Sequence, residues 1–270
     1  MIGFMQGRLT KSISGKLQFF PWGNWQNEFK IAFDNKIKLI EWTIDSYKIN
    51  SNPIFSQTDL ILKNSIKYNV QIKSVTCDFI MESPFYKKNN FLDSLFYLKK
   101  TINSCDKLGI KYIIFPLVDN GKIENQEDED YLFKLLNNLY ELKNSNCSIL
   151  FETDFNPQKN KKFIEKFDVN FFGINYDTGN SASNGFDVRE EFDSYSEYIK
   201  NIHIKDRKLR SDSVKLGLGD FDFQTFFSLI HKVSYSNNFI LQTARHESMS
   251  DIENINYGID FIKKYYEYWF

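Results

Sequence analysis

A histidine and a lysine stand two residues apart in the alternating segment 199–207, IKNIHIKDR. On a β-strand, successive side chains point to opposite faces, so His203 and Lys205 share one face while Ile202 and Ile204 share the other. An imidazole and an ammonium group on one face, at the end of a strand, are more typical of a functional site than of a solvated surface. The segment therefore predicts that His203 and Lys205 are functional.

Three further strand-like segments carry a polar donor near their ends: Glu152 in SILFET, Asp177 in FFGINYD and Gln242 in NFILQTA. Apolar neighbours flank each donor, so the alternation turns the donors inward. Buried carboxylates are costly unless they are compensated, and a divalent cation is a natural compensation. Two carboxylates, an imidazole and an amide oxygen suit Mn²⁺, with Mg²⁺, Co²⁺ and Zn²⁺ as alternatives. The pattern predicts one metal ion held by Glu152, Asp177, His203 and Gln242.

Each of these residues also has a structural alternative. Glu152 could pair with Lys205, Asp177 could cap a turn before Gly179, and His203 could be a satisfied interior histidine. The metal site is favoured because all four donors stand at the ends of successive predicted strands.

Strand-like and helix-like segments alternate along the chain. The predicted strands are residues 2–5, 38–44, 71–79, 111–118, 148–153, 171–177, 199–205 and 238–244, and helical patterns cover 90–108, 130–143, 222–233 and 251–270. This alternation predicts a single (β/α)₈ barrel over residues 1–270, with the site at the C-terminal ends of the strands. A doubly wound open sheet is the alternative, but GRLTKSISG does not match the glycine-rich nucleotide turn of that fold.

The composition limits the partners. Lys and Arg number 34 against 35 Asp and Glu, which argues against a nucleic-acid partner. Cys77, Cys105 and Cys147 are odd in number and widely spaced, so a reducing cytoplasm is expected rather than a disulfide framework. No run approaches the roughly 20 apolar residues of a membrane span. We expect a soluble cytoplasmic protein without a membrane partner, and homo-oligomerisation is left open.

Several short motifs resemble the xylose isomerase-like TIM barrels. They are GFMQGRL, FETD, NYDTGN, NIHIKD with the following LGLGDFDF, and ILQTAR. The resemblance spans the chain and implies metal ligands at Glu152, Asp177, His203 and the strand-eight position. It also implies an isomerase or epimerase acting on a small polyhydroxylated carbonyl substrate, a sugar or sugar phosphate. The implied mechanism is α-proton abstraction through a metal-stabilised enediolate, with Mn²⁺ favoured.

The strand-eight position departs from this family, which usually has glutamate where Gln242 stands. In the family's epimerases the strand-five and strand-eight glutamates act as base and acid on opposite faces of the substrate. An amide can ligate through its oxygen but does not exchange a proton at neutral pH. We therefore expect weaker metal binding, and an isomerisation in which Glu152 moves the proton alone.

A second proton-transfer group is predicted to be Lys205, with Glu41, His246 and Glu247 as alternatives. Substrate-binding roles are predicted for five residues: Gln6, Arg8, Glu41, Trp22 and His246. The guanidinium of Arg8 offers a planar fork for a phosphate or carboxylate, and Trp22 could stack on a sugar. The structural alternatives are a salt bridge for Lys205, packing for Arg8 and a barrel cover for Trp22.

Three other functions compete with isomerisation. A sugar or inosose dehydratase could use the same site if an acid stood beside a β-hydroxyl group. A DNA-repair hydrolase of the endonuclease IV type needs a histidine-rich metal cluster, and this chain has only His203, His231 and His246. A non-catalytic binding protein is the third alternative, and Gln242 is the observation behind it.

Overall fold

The chain folds into a closed barrel of eight parallel strands with helices between them, as the sequence predicts. The computed structural model describes residues 1–12, 18–87, 93–246 and 248–266. Around the barrel the strands follow the order β1, β10, β7, β6, β5, β4, β3, β2, and a small antiparallel pair, β8 and β9, follows β7 in the chain. No helix in the described part of the chain is long and apolar enough to cross a membrane.

The bounds of the strands agree closely with the predicted segments. The strands are β1 (Ile2–Met5), β2 (Leu39–Thr43), β3 (Gln71–Thr76), β4 (Tyr112–Leu117), β5 (Ser148–Thr153), β6 (Phe172–Asp177), β7 (Ile199–Ile204), β8 (Asp206–Arg207), β9 (Ser213–Val214) and β10 (Phe239–Leu241). The last strand is shorter than predicted, so Gln242 lies one residue beyond it. Its backbone N–H still donates to the carbonyl oxygen of Ile204 at 3.0 Å, which keeps Gln242 in line with the barrel.

Helices follow most strands and cover the outside of the barrel. They are α1 (Trp25–Asp34), α2 (Pro53–Ser56), α3 (Thr58–Tyr68), α4 (Asp78–Glu82), α5 (Ser94–Leu108), α6 (Gln126–Asn137), α7 (Tyr140–Lys143), α8 (Pro157–Ile164), α9 (Thr178–Asn184), α10 (Val188–Tyr195), α11 (Phe223–Lys232) and α12 (Asp251–Tyr266). Short 3₁₀ turns occupy Ile49–Ser51, Asp119–Gly121 and Ser196–Tyr198.

The predicted helices are present with changed bounds. The helix predicted over 130–143 is divided into α6 and α7, and Asn125 caps α6 by accepting from the N–H of Asp128 at 2.9 Å. The acidic residues that precede 130 thus form the first turn of α6, where negative charge favours a helix N-terminus. Residues 90–92 and 267–270 of the predicted helices lie outside the described residues.

Two layers of apolar side chains hold the barrel. A large phenylalanine-rich layer packs between the strands and the helices, and a small separate cluster of Met5, Leu39 and Ile240 is fully buried. Leu39 stands two residues before Glu41 on β2, so the two side chains point to the same side of the strand, the barrel interior. An apolar interior layer therefore leads directly to the polar residues at the strand ends.

Candidate metal centre

Glu152, Asp177 and His203 come together at the C-terminal ends of β5, β6 and β7. One oxygen of each carboxylate and one ring nitrogen of His203 lie within 4.8 Å of one another. The strands β5, β6, β7 and β10 are consecutive around the barrel, and Asp177 pairs in register with His203. Barrel closure thus brings three of the four predicted ligands into one buried group, with Gln242 following the neighbouring strand.

Asp177 uses its two carboxylate oxygens differently. Its Oδ1 accepts from the backbone N–H groups of Gly179 and Asn180 at 2.8 and 2.9 Å, which caps α9. The predicted structural alternative, a capping role, is therefore present. It occupies one oxygen and leaves Oδ2 facing His203 Nδ1 at 3.8 Å. Capping fixes the carboxylate, so both roles are compatible.

His203 is completely buried between two carboxylates. Its Nε2 lies 2.8 Å from Oε1 of Glu41, and its Nδ1 lies 3.0 Å from Oε2 of Glu152. Metal-binding histidines commonly bond a carboxylate through the nitrogen that does not face the metal, which fixes the ring and its tautomer. Glu41 stands in that position, and Nδ1 is the nitrogen that faces the other ligands.

Glu41 is placed behind His203 and has no exposed surface. Its Oε2 accepts from Ser74 Oγ at 2.6 Å and from Asn201 Nδ2 at 3.2 Å. Because Glu41 has no exposed surface and lies behind the imidazole, it would act on a substrate through His203. The geometry favours a positioning role over the substrate-binding role that the sequence predicts.

Buried asparagines hold Glu152. Asn175 Nδ2 donates to its Oε2 at 2.7 Å, and Asn180 Nδ2 donates to its Oε1 at 3.1 Å. Asn201 Nδ2 in turn donates to Asn175 Oδ1 at 2.8 Å, which links Glu152 to Glu41 across the interior. The amides satisfy the carboxylate without neutralising its charge. The spacing of two residues from Asp177 to Asn175 and from His203 to Asn201 is the sequence signal for these partners.

The charges of the group shift two pKa values in opposite directions. Burial works to raise the pKa of Glu152, but the adjacent His203 ring and its charge, with the charge of Lys205, hold it at about 2. Burial likewise works to lower the pKa of His203, but Glu41 and Glu152 raise it to about 10. Glu152 is therefore ionised at neutral pH, and an imidazolium at His203 compensates the carboxylates.

Lys205 shares the His203 side of β7, as the alternation predicts, and forms an ion pair. Its Nζ lies 2.8 Å from Oδ2 of Asp177. The predicted salt-bridge alternative is thus present, with Asp177 as the partner rather than Glu152. Lys205 reaches Asp177 by crossing Gly179, where a Cβ would lie 2.3 Å from Lys205 Cγ. Glycine at position 179 is required by this close approach.

Gln242 lines the same cavity as Glu152 and Lys205, and the cavity has a volume of about 260 Å³. Its Nε2 donates to Gln18 Oε1 at 2.8 Å, so Oε1 is the atom left for ligation. Small-molecule sites commonly have volumes of about 300–1,000 Å³, so this cavity suits a small substrate.

Three of the four predicted ligands have a buried atom that fits a divalent cation. Within the described residues, His203 Nδ1, Asp177 Oδ2 and Gln242 Oε1 are buried yet make no hydrogen bond. Glu152 lies close to His203 Nδ1 and Lys205 lies close to Asp177 Oδ2, but these contacts are ion pairs and not hydrogen bonds. Polar atoms buried without partners are costly, and a cation at the strand ends would satisfy all three. Two carboxylates, one imidazole and one amide oxygen are a suitable donor set.

The other predicted site residues are spread around the first and eighth barrel strands. Gln6 is buried and accepts from the N–H of Thr43 at 3.2 Å. Burial, with the positive charge of Arg245, lowers the pKa of the buried Arg8 to about 10. Trp22 packs edge-on against Phe20, with ring centroids 4.9 Å apart.

His246 does not join the buried group. It is exposed, and its Nδ1 lies 2.8 Å from Ser248 Oγ. Glu247 lies outside the described residues. The substrate contacts predicted for Gln6, Arg8, Trp22 and His246 stay predictions.

Asp78 is a cavity residue that the sequence reasoning missed. It stands two residues after the end of β3, is 6% exposed, and lines the cavity with Glu152 and Gln242. The sequence signal was available, because Asp78 is the next-to-last residue of the predicted strand 71–79. No donor was predicted at the ends of the third and fourth strands.

The fold and the group of Glu152, Asp177 and His203 define a barrel protein with a candidate metal site at the C-terminal ends of its strands. The family model for the xylose isomerase-like TIM barrel matches residues 29–265, and the chain belongs to this family. A search of curated proteins finds no significant match.

Solved structures share this fold at low sequence identity. An IolI protein with bound zinc has a TM-score of 0.75 and 15% identity, covering 100% of this chain and 99% of that chain. The 3-keto-D-glucoside 4-epimerase YcjR from E. coli has a TM-score of 0.71 and 13% identity, with 96% and 97% covered. A D-allulose 3-epimerase from Methylomonas sp. with D-allulose has a TM-score of 0.66 and 14% identity, with 97% and 96% covered.

Proposed function

We propose that the protein is a divalent-metal-dependent isomerase or epimerase of a small sugar or sugar phosphate. The observation that carries the proposal is the buried group of Glu152, Asp177 and His203 beside a cavity of about 260 Å³. The names of the structural neighbours, among them epimerases of D-allulose and of a 3-keto-D-glucoside, support the same class of substrate.

In this proposal Glu152, Asp177, His203 and Gln242 hold one ion. Mn²⁺ is our first choice, and the zinc in the IolI neighbour makes Zn²⁺ the first alternative. The bound ion would stabilise the negative charge that an enediolate carries.

Glu152 is the proposed base. Its carboxylate is ionised and lines the cavity, so it can remove the proton from the carbon next to a substrate carbonyl. Asn175 and Asn180 hold it in place by their amide hydrogen bonds. Lys205 forms an ion pair with Asp177 and lines the same cavity, where its ammonium can bind a substrate oxygen.

The test is a substrate panel with the metal-reconstituted protein. Chelated protein is reloaded with Mn²⁺, Mg²⁺, Co²⁺ or Zn²⁺ and incubated in D₂O with aldoses, ketoses including D-allulose, inososes and sugar phosphates. Proton NMR reports both new sugars and deuterium at the carbon next to the carbonyl. We expect metal-dependent turnover, reduced at least about 100-fold in Glu152→Gln.

Glu165→Gln is the matched control, because Glu165 is exposed at the end of α8, at the opposite end of the barrel. It should retain the turnover of the parent protein. A product that has lost water would favour the dehydratase alternative. Absence of both turnover and exchange across the panel would refute the proposed function.

A further inference from the structure

Asp78 is a buried carboxyl group in the same cavity as Glu152, with no role in the function proposed above. It opens α4 two residues after the end of β3, while Glu152 lies on β5, so β4 separates the two elements. Both side chains line one cavity. A substrate bound in that cavity would face ionisable carboxyl oxygens on two different parts of the cavity wall.

A chain of hydrogen bonds connects Asp78 to the strand-eight position. Gln242 Nε2 donates to Gln18 Oε1 at 2.8 Å, and Gln18 Nε2 donates to Asp78 Oδ2 at 2.6 Å. Within the described residues, the other oxygen, Oδ1, receives a long contact of 3.4 Å from Thr76 Oγ1. Oδ2 is thus held by an amide donor, and Oδ1 is the atom available to carry a proton.

The surroundings of Asp78 allow its carboxyl group to be either protonated or ionised near neutral pH. Burial is the main cause that raises its pKa to about 7, against the opposing hydrogen bond from Gln18. The charged groups that face it are Glu82 on its own helix, Asp45 after β2, Glu152 on β5 and Arg8 after β1. A general acid–base works best when its pKa is near the operating pH.

We propose that Asp78 is the second acid–base residue of the site, acting on the substrate face that Glu152 does not reach. This inference rests on the proposed function and deepens it to an epimerase. Glu152 takes the proton from the carbon next to the carbonyl, and the C–H electron pair forms the C=C bond of the enediolate. Protonated Asp78 then gives its Oδ1 proton to the same carbon from the other face. The new C–H bond has inverted configuration, and solvent exchange returns the proton from Glu152 to Asp78.

Asp78 fits this step better than Lys205, the group favoured by the sequence. The Lys205 ammonium is engaged by Asp177, a proposed metal ligand, at 2.8 Å. In the described part of the chain, the hydrogen bonds to Asp78 come from a neutral amide and a hydroxyl group, so its proton can leave without breaking an ion pair there. The carboxylic acid absent from position 242 is thereby supplied from the start of α4.

Isotope exchange separates the two bases. The Mn²⁺-loaded protein is incubated in D₂O with each member of the C3-epimeric pairs D-allulose with D-fructose and D-tagatose with D-sorbose. In Asp78→Asn we expect interconversion to fall at least about 100-fold. Deuterium should still enter one epimer through Glu152 and should not enter the other, whereas Glu152→Gln should show the reverse selectivity.

Two further variants complete the test. Asp106→Asn is the matched control, since Asp106 lies in the last turn of α5, at the opposite end of the barrel, and should behave as the parent. Gln18→Leu removes the donor to Asp78 and should move a limb of the pH–rate profile upward from about pH 7. This variant leaves the carboxyl group intact and tests the inference if Asp78→Asn fails to fold.

The outcomes distinguish this inference from the proposed function. Folded Asp78→Asn that exchanges both epimers, or neither, would overturn the role of Asp78 while Glu152-dependent turnover survives. Aldose–ketose conversion by the parent without any C3 epimerisation would do the same. Absence of turnover in every sugar would overturn both.

Discussion

Glu41 and His203, 162 residues apart in the chain, are bonded across the barrel interior, with Glu41 Oε1 2.8 Å from His203 Nε2. The strands that carry them, β2 and β7, are not neighbours, because β1 and β10 lie between them. The bond therefore fixes the imidazole from a distant strand and directs Nδ1 towards Glu152 and Asp177. Glu41 contacts His203 directly, and Asn201 and Asn175 connect it to Glu152.

Glu41→Gln should weaken Mn²⁺ binding about 10–100-fold, the usual effect of removing a partner behind a metal-binding histidine. The amide can accept a hydrogen bond from Nε2, but it lacks the negative charge that increases the basicity of the ring. Isothermal titration calorimetry measures the affinity. Ser74→Ala is the control, because it removes one donor to Glu41 and leaves its charge, and it should cost much less. Equal affinities in Glu41→Gln and the parent would contradict this role.

Metal binding should release about one proton at pH 7. The carboxylates raise the pKa of His203 to about 10, so without a bound ion the ring is protonated, and Nδ1 must lose its proton to ligate. Affinity should therefore rise about tenfold per pH unit from pH 7 and level off near pH 10. Calorimetry in two buffers of different ionisation enthalpy measures the released proton. A buffer-independent heat would show that His203 is already neutral.

The raised pKa of His203 should also make the stability of the chelated protein depend on pH. The folded pKa of His203 lies above its ordinary value of 6.5, so its ion pairs stabilise the fold fully below that value. This contribution should decline as the pH rises towards about 10. Urea unfolding of chelated protein between these two pH values measures it, with His203→Gln as the variant that should lack this dependence.

Gln242→Glu should strengthen Mn²⁺ binding by about tenfold or more, because it adds a negative charge to the proposed ligands. Gln242→Leu removes the oxygen and should weaken binding, so the two variants move the affinity in opposite directions. If neither variant changes the affinity, Gln242 is not a ligand.

Gly179→Ala should destabilise the protein by about 1–3 kcal/mol through overpacking. The new Cβ would lie 2.3 Å from Lys205 Cγ and 2.6 Å from Lys205 Cε, so Lys205 must leave Asp177. In the Lys205→Ala background these atoms are absent and the cost should vanish, as urea denaturation of the four proteins can measure. Gly23→Ala, which meets open space, is the control. An equal cost in both backgrounds would place the clash elsewhere.

The sequence by itself determined the strands, their inward faces and the donors at their ends. Period-two alternation is local, so it put His203 and Lys205 on one face, and it put Glu152 and Asp177 near the ends of their own strands. The family motifs added that position 242 departs from the usual glutamate.

Only the tertiary structure decided which of these side chains meet. Alternation assigns a residue to a face, but the distance between two faces depends on barrel closure and strand register. Glu41 therefore lies behind His203, Lys205 pairs with Asp177 rather than Glu152, and Gln18 links Gln242 to Asp78. Each of these contacts joins separate segments of the chain, and their relative positions are set by packing of the whole barrel.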